Sequence, residues 1–488
     1  AVGDFPLFID GNAATSGNAV TLSAGNYTAS ETQQYGYLAS AWGTDCAGDG
    51  TVTLGVGDNK TCTITNDDIA PTLTLVKTVV NDDGGTLAVG DFPLFIDGNA
   101  ATSGNAVTLS AGNYTASETQ QYGYTASAWG TDCAADGTVT LGVGDNKTCT
   151  ITNDDVAPTL TLIKTVTNDN GGTLGVGDFP LFISGNVTTS GTAQSLSAGD
   201  YVASETTQFG YQAGSWTGDC DAAGNVTLGV GDNKTCYINN DDIPPSLVLI
   251  KNVVNDNGGT AVAANWTLGT SGATATQISG SGGAASDASF LAGSYTMREI
   301  GPAGYAASAW SCTGDGTQVG NVITLGVGQS AICTIVNNDI PPSLTLVKTV
   351  TNNDGGTAVA NNWTLSATNG PTPISGAGGA TSDANFVAGT YDLSETSLAG
   401  YAAGDWGCVG GSQSGSQITI GIGQTATCTI NNDDIAPTLK LVKTVTTDDG
   451  GVAVADNWTL YAAAAAPDDG RNFSNAGGSG VFETVFAN

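Results

Sequence analysis

Leu73-Thr74-Leu75-Val76-Lys77-Thr78-Val79 reads as a β-strand with a lysine on its apolar face. Side chains alternate across a strand, so Leu73, Leu75, Lys77 and Val79 point the same way. The segment returns as L-x-L-[VI]-K-[TN]-V at Leu160–Val166, Leu247–Val253, Leu344–Val350 and Leu439–Val445, which puts Lys164, Lys251, Lys348 and Lys443 in the same position. The chain has nine lysines, and five of them therefore face inward.

Two further strands recur with this one. A G-x-Y-x-x-x-E strand places Glu31, Glu118, Glu205, Glu299 and Glu395 on the face of its tyrosine. A closing C-x-I-x-N strand places Asn66, Asn153, Asn240, Asn337 and Asn432 on the face of its cysteine. An Asn/Asp turn and a proline (Pro71, Pro158, Pro244, Pro341, Pro437) follow each closing strand and mark short boundaries. The expected domains are 1–68, which lacks the lysine strand, then 69–155, 156–242, 243–339 and 340–434, and 435–488, which has that strand without the glutamate and cysteine strands. A chain of 488 residues with 70 glycines, 11% charged residues and abundant Thr, Ser, Val and Asn suits many short strands and tight turns. The expected fold class is all-β, a tandem array of sandwich repeats. The first two repeats differ at few positions, such as Leu38 against Thr125 and Ile69 against Val156, as recently copied spacer repeats do. Later repeats replace D-F-P-L-F-I with N-W-T-L, at Asn265–Leu268 and Asn362–Leu365.

Composition narrows the function. With 45 acidic against 11 basic residues, net charge −34, the chain repels nucleic acid and anionic lipid. There is no histidine, which excludes histidine-based catalysis, and no nucleophile motif suggests an enzyme. The ten cysteines fall as Cys46/Cys62, Cys133/Cys149, Cys220/Cys236, Cys312/Cys333 and Cys408/Cys428, without metal-type spacing. Structural disulfides in an oxidising compartment are expected, with free buried thiols as the alternative. The first cysteine of a pair follows a tryptophan at an even offset, as in Trp42/Cys46, Trp216/Cys220 and Trp310/Cys312, so a core tryptophan packed on the disulfide is expected. No apolar run of about 18 residues exists, and the chain opens at Ala1 inside a repeat, as a processed product or a window on a longer protein would.

A lone buried ammonium costs several kcal/mol, so the inward lysine needs a partner. Two readings supply one. The first is a buried Lys–Glu ion pair with Asn as a hydrogen-bond partner. In the second, desolvation lowers the lysine pKa, the free amine attacks the Asn carboxamide, and a protonated Glu shuttles protons as ammonia leaves, giving an intramolecular isopeptide bond.

L-T-L-V-K at Leu73–Lys77, A-G-N-Y-T-A-S-E with a following G-Y at Ala111–Tyr124, and C-T-I-T-N at Cys149–Asn153 carry a resemblance to the prealbumin-like, collagen-adhesin B-type domains of bacterial surface adhesins and pilins. It extends over all four whole repeats and both partial ones. The resemblance implies autocatalytic crosslinks at Lys77/Glu118/Asn153, Lys164/Glu205/Asn240, Lys251/Glu299/Asn337 and Lys348/Glu395/Asn432. The paired cysteines depart from the family's usual pattern, and a disulfide in its place or beside it are both compatible with the sequence.

Acidic turns follow the lysine and closing strands. Asp82, Asp83, Asp154, Asp155, Asp169, Asp241 and Asp242 gather carboxylates that calcium would bridge, against the plainer reading of solvated turns. No cofactor is required otherwise. Sequons such as those at Asn26, Asn186 and Asn265 permit glycosylation and show no more than that. The favoured function is a structural extracellular fibre or cell-surface stalk, whose partners are neighbouring repeats or other copies of the chain. One alternative is an adhesin whose repeats bind a ligand directly. Another is a subunit polymerising head to tail, in which Lys443 of one copy fills the gap beside Glu31 and Asn66 of the next.

Overall fold

A computed structural model describes residues 1–272, 276–464 and 472–485. The chain forms two compact units, Ala1–Thr167 with Leu174–Asp241, and Asn168–Thr173 with Asp242–Asn488. Each is built almost wholly of strands arranged as repeated sandwiches.

Residues 69–155 show the plan. The lysine strand Thr72–Val80 alternates half-buried and buried positions until its last three residues, as the leucine spacing requires. It pairs in parallel with the closing strand Asn146–Asp155, and antiparallel with Ala106–Thr108. Tyr124–Ala126 and Gly130–Thr131 complete this sheet along the other edge of the closing strand. The second sheet has the order Asn99–Ala101, Leu94–Ile96, Gly112–Glu118, Thr138–Leu141. Between the sheets lie Leu73, Leu75, Leu94, Ile96, Ala116, Val139, Leu141, Cys149 and Ile151, all buried. First and last strands are thus neighbours in one sheet, while the glutamate strand lies in the other.

The third repeat follows the same order. In the fourth and fifth, the N-W-T-L segment lengthens the second sheet's strand to Thr267–Ser271 and Thr364–Thr368, and that sheet gains a fifth strand. Trp266 and Trp363 take the place of Phe92 and Phe179, and all four are fully buried. In residues 1–68 the closing segment is reduced to Cys62–Thr63 and Asn66–Asp68, and Leu7 and Ile9 are half-buried where Leu94 and Ile96 are buried. Among the described residues no helix is long and apolar enough to cross a membrane, which says nothing of a β-barrel.

Candidate crosslinking site

The register of the parallel pair sets the site. Lys77 lies opposite Ile151 and Asn153 opposite Val79, so lysine and asparagine are offset by two positions on one buried face. A diagonal neighbour of this kind is within reach of a long side chain. The same offset recurs between Lys164 and Asn240, Lys251 and Asn337, and Lys348 and Asn432. Lysine and asparagine are buried in all four repeats, as the strand parity predicts.

The glutamate arrives from the facing sheet. Lysine Nζ lies 2.5 Å from the carboxylate of Glu118 and of Glu205, and 2.9 Å from that of Glu299 and of Glu395. Each of these lysine side chains is 0% exposed. An aromatic ring closes the other side: Nζ sits 4.6–4.8 Å from the ring centres of Phe92, Phe179, Trp266 and Trp363. Burial pushes the pKa of Lys77, Lys164 and Lys251 below the ordinary lysine value, and the adjacent glutamate offsets only part of that shift. The free amine, the nucleophilic form, is therefore favoured relative to a lysine in water.

The asparagine carboxamide is held by its nitrogen end where its bond is resolved. Asn337 Nδ2 donates to Glu299 Oε1 at 2.9 Å, and Asn432 Nδ2 to Glu395 Oε1 at 2.7 Å. Its Oδ1 accepts no hydrogen bond in any of the four repeats, nor in Asn66. Among the described residues, ten of the twelve buried side-chain polar atoms without a partner belong to these lysines, glutamates and asparagines. Buried polar groups are normally paired, so the recurrence marks a site held in an unsatisfied state. Even Lys348 Nζ, though 2.9 Å from Glu395 Oε2, makes no aligned hydrogen bond.

The partial repeats hold fragments of the same constellation. Asn66 Nδ2 donates to Glu31 Oε2 at 3.0 Å, so these two meet as they do in the later repeats. Lys443 is half-buried, with Nζ 4.8 Å over Trp458.

The cysteines form five disulfides, Cys46–Cys62, Cys133–Cys149, Cys220–Cys236, Cys312–Cys333 and Cys408–Cys428, and none is free. In the four complete repeats the second cysteine of the pair, Cys149, Cys236, Cys333 or Cys428, is 0% exposed, because it occupies an inward position of the closing strand between the two sheets. These four sulfurs are therefore part of the core of their repeats, while Cys312 and Cys408, the partners of two of them, are half-buried. Trp216 lies in the same core cluster as Cys220 and Cys236, and Trp129, Trp310 and Trp406 are half-buried and pack against the core cluster that contains Cys149, Cys333 or Cys428 of their own repeat. The two spacings have a geometric cause. Cys312 and Cys408 stand directly across the ladder from Cys333 and Cys428. Cys133 instead lies past the short strand that ends at Thr131, itself opposite Cys149, and Cys220 lies past the strand that ends at Gly218, itself opposite Cys236.

The acidic turns separate into two kinds of residue. Asp154 and Asp241 are exposed on the outer face of the closing strand. Asp155 continues the inward series Cys149, Ile151, Asn153 and is buried. Its carboxylate accepts the backbone N–H groups of Asp82, Asp83 and Gly85 at 2.6–3.1 Å. Asp242 does the same for Asp169, Asn170 and Gly172, Asp339 for Asp256, Asn257 and Gly259, and Asp434 for Asn353, Asp354 and Gly356. Asp82, Asp83 and Asp155 do bring carboxylate oxygens within 4.8 Å of one another, as do Asp169, Asp241 and Asp242. Yet Asp155 and Asp242 are neither solvated nor free, because the backbone of the turn occupies them. Reading the closing strand's alternation two residues further would have found this role. Burial raises the Asp155 pKa, but the three N–H donors outweigh it and leave the carboxyl below its ordinary value. The tyrosine of the G-Y pair completes the corner: Tyr124 Oη donates to Asn81 Oδ1 at 2.5 Å and accepts from Leu87 N at 3.1 Å.

Comparison with known families matches six successive segments, residues 1–64, 68–151, 155–238, 242–335, 339–430 and 434–488, to one family described as a prealbumin-like fold domain. The chain belongs to the prealbumin-like fold domain family. Among solved structures, it is similar to the Bacillus anthracis TIE protein at 13% identity, over 88% of this chain and 75% of that one, with a TM-score of 0.41. The pilus adhesin SpaC from Lactobacillus rhamnosus GG is similar at 16% identity, over 59% of this chain and 46% of that one, with a TM-score of 0.22. Two B repeat units of the collagen binding protein of Staphylococcus aureus are similar at 14% identity, over 75% and 99%, with a TM-score of 0.18. No curated protein matches the sequence. The resemblance read from the lysine, glutamate and cysteine strands is therefore sound as to family.

Proposed function

We propose that the chain is a structural segment of an extracellular fibre or cell-surface stalk, with each complete repeat closed by a disulfide and by a Lys–Asn isopeptide bond. The observation that carries this reading is the fourfold recurrence of a desolvated lysine, a glutamate and an asparagine with an unpaired amide oxygen, the lysine and asparagine on the first and last strands of the same sheet. In the reaction, the uncharged Nζ attacks Cγ of the asparagine. The new N–C bond forms as the Cγ–Nδ2 bond breaks, and the glutamate carboxyl carries a proton from the incoming amine to the departing ammonia. Nothing turns over, because each repeat reacts once. A first and a last strand joined to each other, and a disulfide within the loop between them, suit a protein that must stay folded under load. Disulfides persist in oxidising compartments, and a strongly acidic surface suits an exposed, soluble position outside the cell.

Intact mass of the reduced, denatured chain tests the reading. Each bond removes one NH₃, about 17 Da, so four complete repeats predict a mass about 68 Da below that of the reduced sequence. A mass equal to the sequence would refute the isopeptide bonds and leave four buried ion pairs.

A further inference from the structure

Within each unit, consecutive complete repeats touch at two places, and one buried aspartate organises both. The first place is the linker. Val156 N donates to Gly123 O in the second repeat at 2.8 Å, and Val156 O accepts from Gly231 N in the third at 2.7 Å. Ile340 does the same between Gly304 and Gly423, at 2.9 and 2.7 Å. The linker residue is thus a single rung of backbone ladder shared by two repeats. Gly123 and Gly304 have positive φ, and a Cβ on either would collide with the next repeat, at Val230 or Ile422.

The second place is the acidic turn. Asp83 O accepts from Ala198 N of the next repeat at 2.7 Å, and Asn257 O accepts from Ala388 N at 2.8 Å. Asn257 Nδ2 adds bonds to Ala384 O and Phe386 O, at 3.4 and 3.5 Å. Gly84 and Gly258, also at positive φ, press against Ala198 and Ala388. The carboxylates of Asp155 and Asp339 hold these turns in shape, and the same residues lead directly into Val156 and Ile340.

We propose that Asp155 and Asp339 are positioning residues for repeat-to-repeat docking, which make each junction a locked joint instead of a free pivot at the proline. The partner surface is the next repeat of the same chain, engaged through its A-G loop (Ala198, Ala388) and its G-[VI]-G turn (Gly231, Gly423). The carboxylate touches neither surface. It acts through the turn it shapes and the linker it precedes.

Amide hydrogen exchange on the full-length chain tests this. In Asp155→Asn, the amides of Ala198 and Gly231 are expected to exchange at least about 10-fold faster, as loss of charge-assisted bonds to the turn predicts. The amides of Ala116 and Ala203, bonded within the second and third repeats, should stay within about twofold of their starting rates. Gly84→Ala keeps the carboxylate but sets a methyl against Ala198, and should loosen Ala198 in the same way. Unchanged exchange at Ala198 and Gly231 in Asp155→Asn overturns the proposal. So does equal loss of protection at Ala116, since the aspartate would then only hold its own repeat together.

Discussion

At the scale of single residues, the decisive quantity is the charge state of a lysine with no exposed surface. Burial lowers the Lys77 pKa and outweighs the opposing pull of Glu118, so it falls below its ordinary value, with the face of the Phe92 ring 4.6 Å from Nζ. That gives a pH signature wherever the crosslink is blocked. In Asn153→Ala the amine stays free. Between its folded pKa and the unfolded value near 10.4, the unfolded state binds more protons, so stability should rise with pH across that window and fall as pH drops through the folded pKa. Denaturant titrations of this variant at a series of pH values, followed by exchange at Ala116, would show the trend. A flat profile would mean the amine is not desolvated. Glu118→Ala addresses the proton path instead. It should leave the second repeat unbonded, so the chain carries one ammonia, about 17 Da, more than the substitution alone accounts for. A mass showing full ammonia loss would remove Glu118 from the chemistry.

At the scale of elements, the strand is the unit that the amino-acid order reveals best. Period-2 alternation alone places Lys77, Glu118 and Asn153 inward, because Leu75 and Ile151 two residues before the lysine and the asparagine, and Ala116 and Tyr114 before the glutamate, leave only one face for a core. The order of strands within the sheets is not legible, since parallel pairing of the first and last strands depends on contacts more than 70 residues apart. The buried role of Asp155 is legible only by carrying the closing strand's alternation past Asn153, because its Asn-Asp-Asp context is equally that of a solvated turn. The cysteine spacing shows pairing but not why 16 residues suffice in one subtype while 20 or 21 are used in the other. That depends on whether the first cysteine stands in the ladder or, as with Cys220 and its partner Cys236, beyond its end. The disulfide constrains a loop nested inside the Lys–Asn span, so it should contribute by itself. Replacing Cys133 and Cys149 together by serine should cost the second repeat about 3 kcal/mol in the chain-entropy account, read as faster exchange at Ala116. Unaltered protection there would show that the remaining staples already restrict the loop.

At the scale of the whole molecule, two acid-dependent effects oppose each other. Protonation relieves the self-repulsion of a chain with net charge −34, which favours compact states. It also removes the carboxylates that hold the turns. At physiological ionic strength, charges more than about 8 Å apart are largely screened, so long-range relief is weak. The turn carboxylates act through direct hydrogen bonds that salt does not screen, and their effect should dominate at the junctions. Around Asp155 stand Asp82, Asp83, Asp154 and Tyr124. The Asp83 pKa is raised by burial and by Asp82, Asp155 and Asp154, so Asp83 protonates early and eases the crowding before Asp155 is reached. Asp155 and Asp434 have depressed pKa values, so their contribution is complete above the ordinary carboxylate value near 3.9 and is lost as pH falls through the lower folded value. Protection at Ala198 and Gly231 should therefore hold from neutrality to about pH 4 and then collapse, while Ala116, inside a crosslinked repeat, remains protected. Exchange measured from pH 6 down to about 2, corrected for the intrinsic pH dependence of exchange, would reveal the two stages. Simultaneous loss at all three amides would show instead that acid unfolds whole repeats and leaves no separate joint to release.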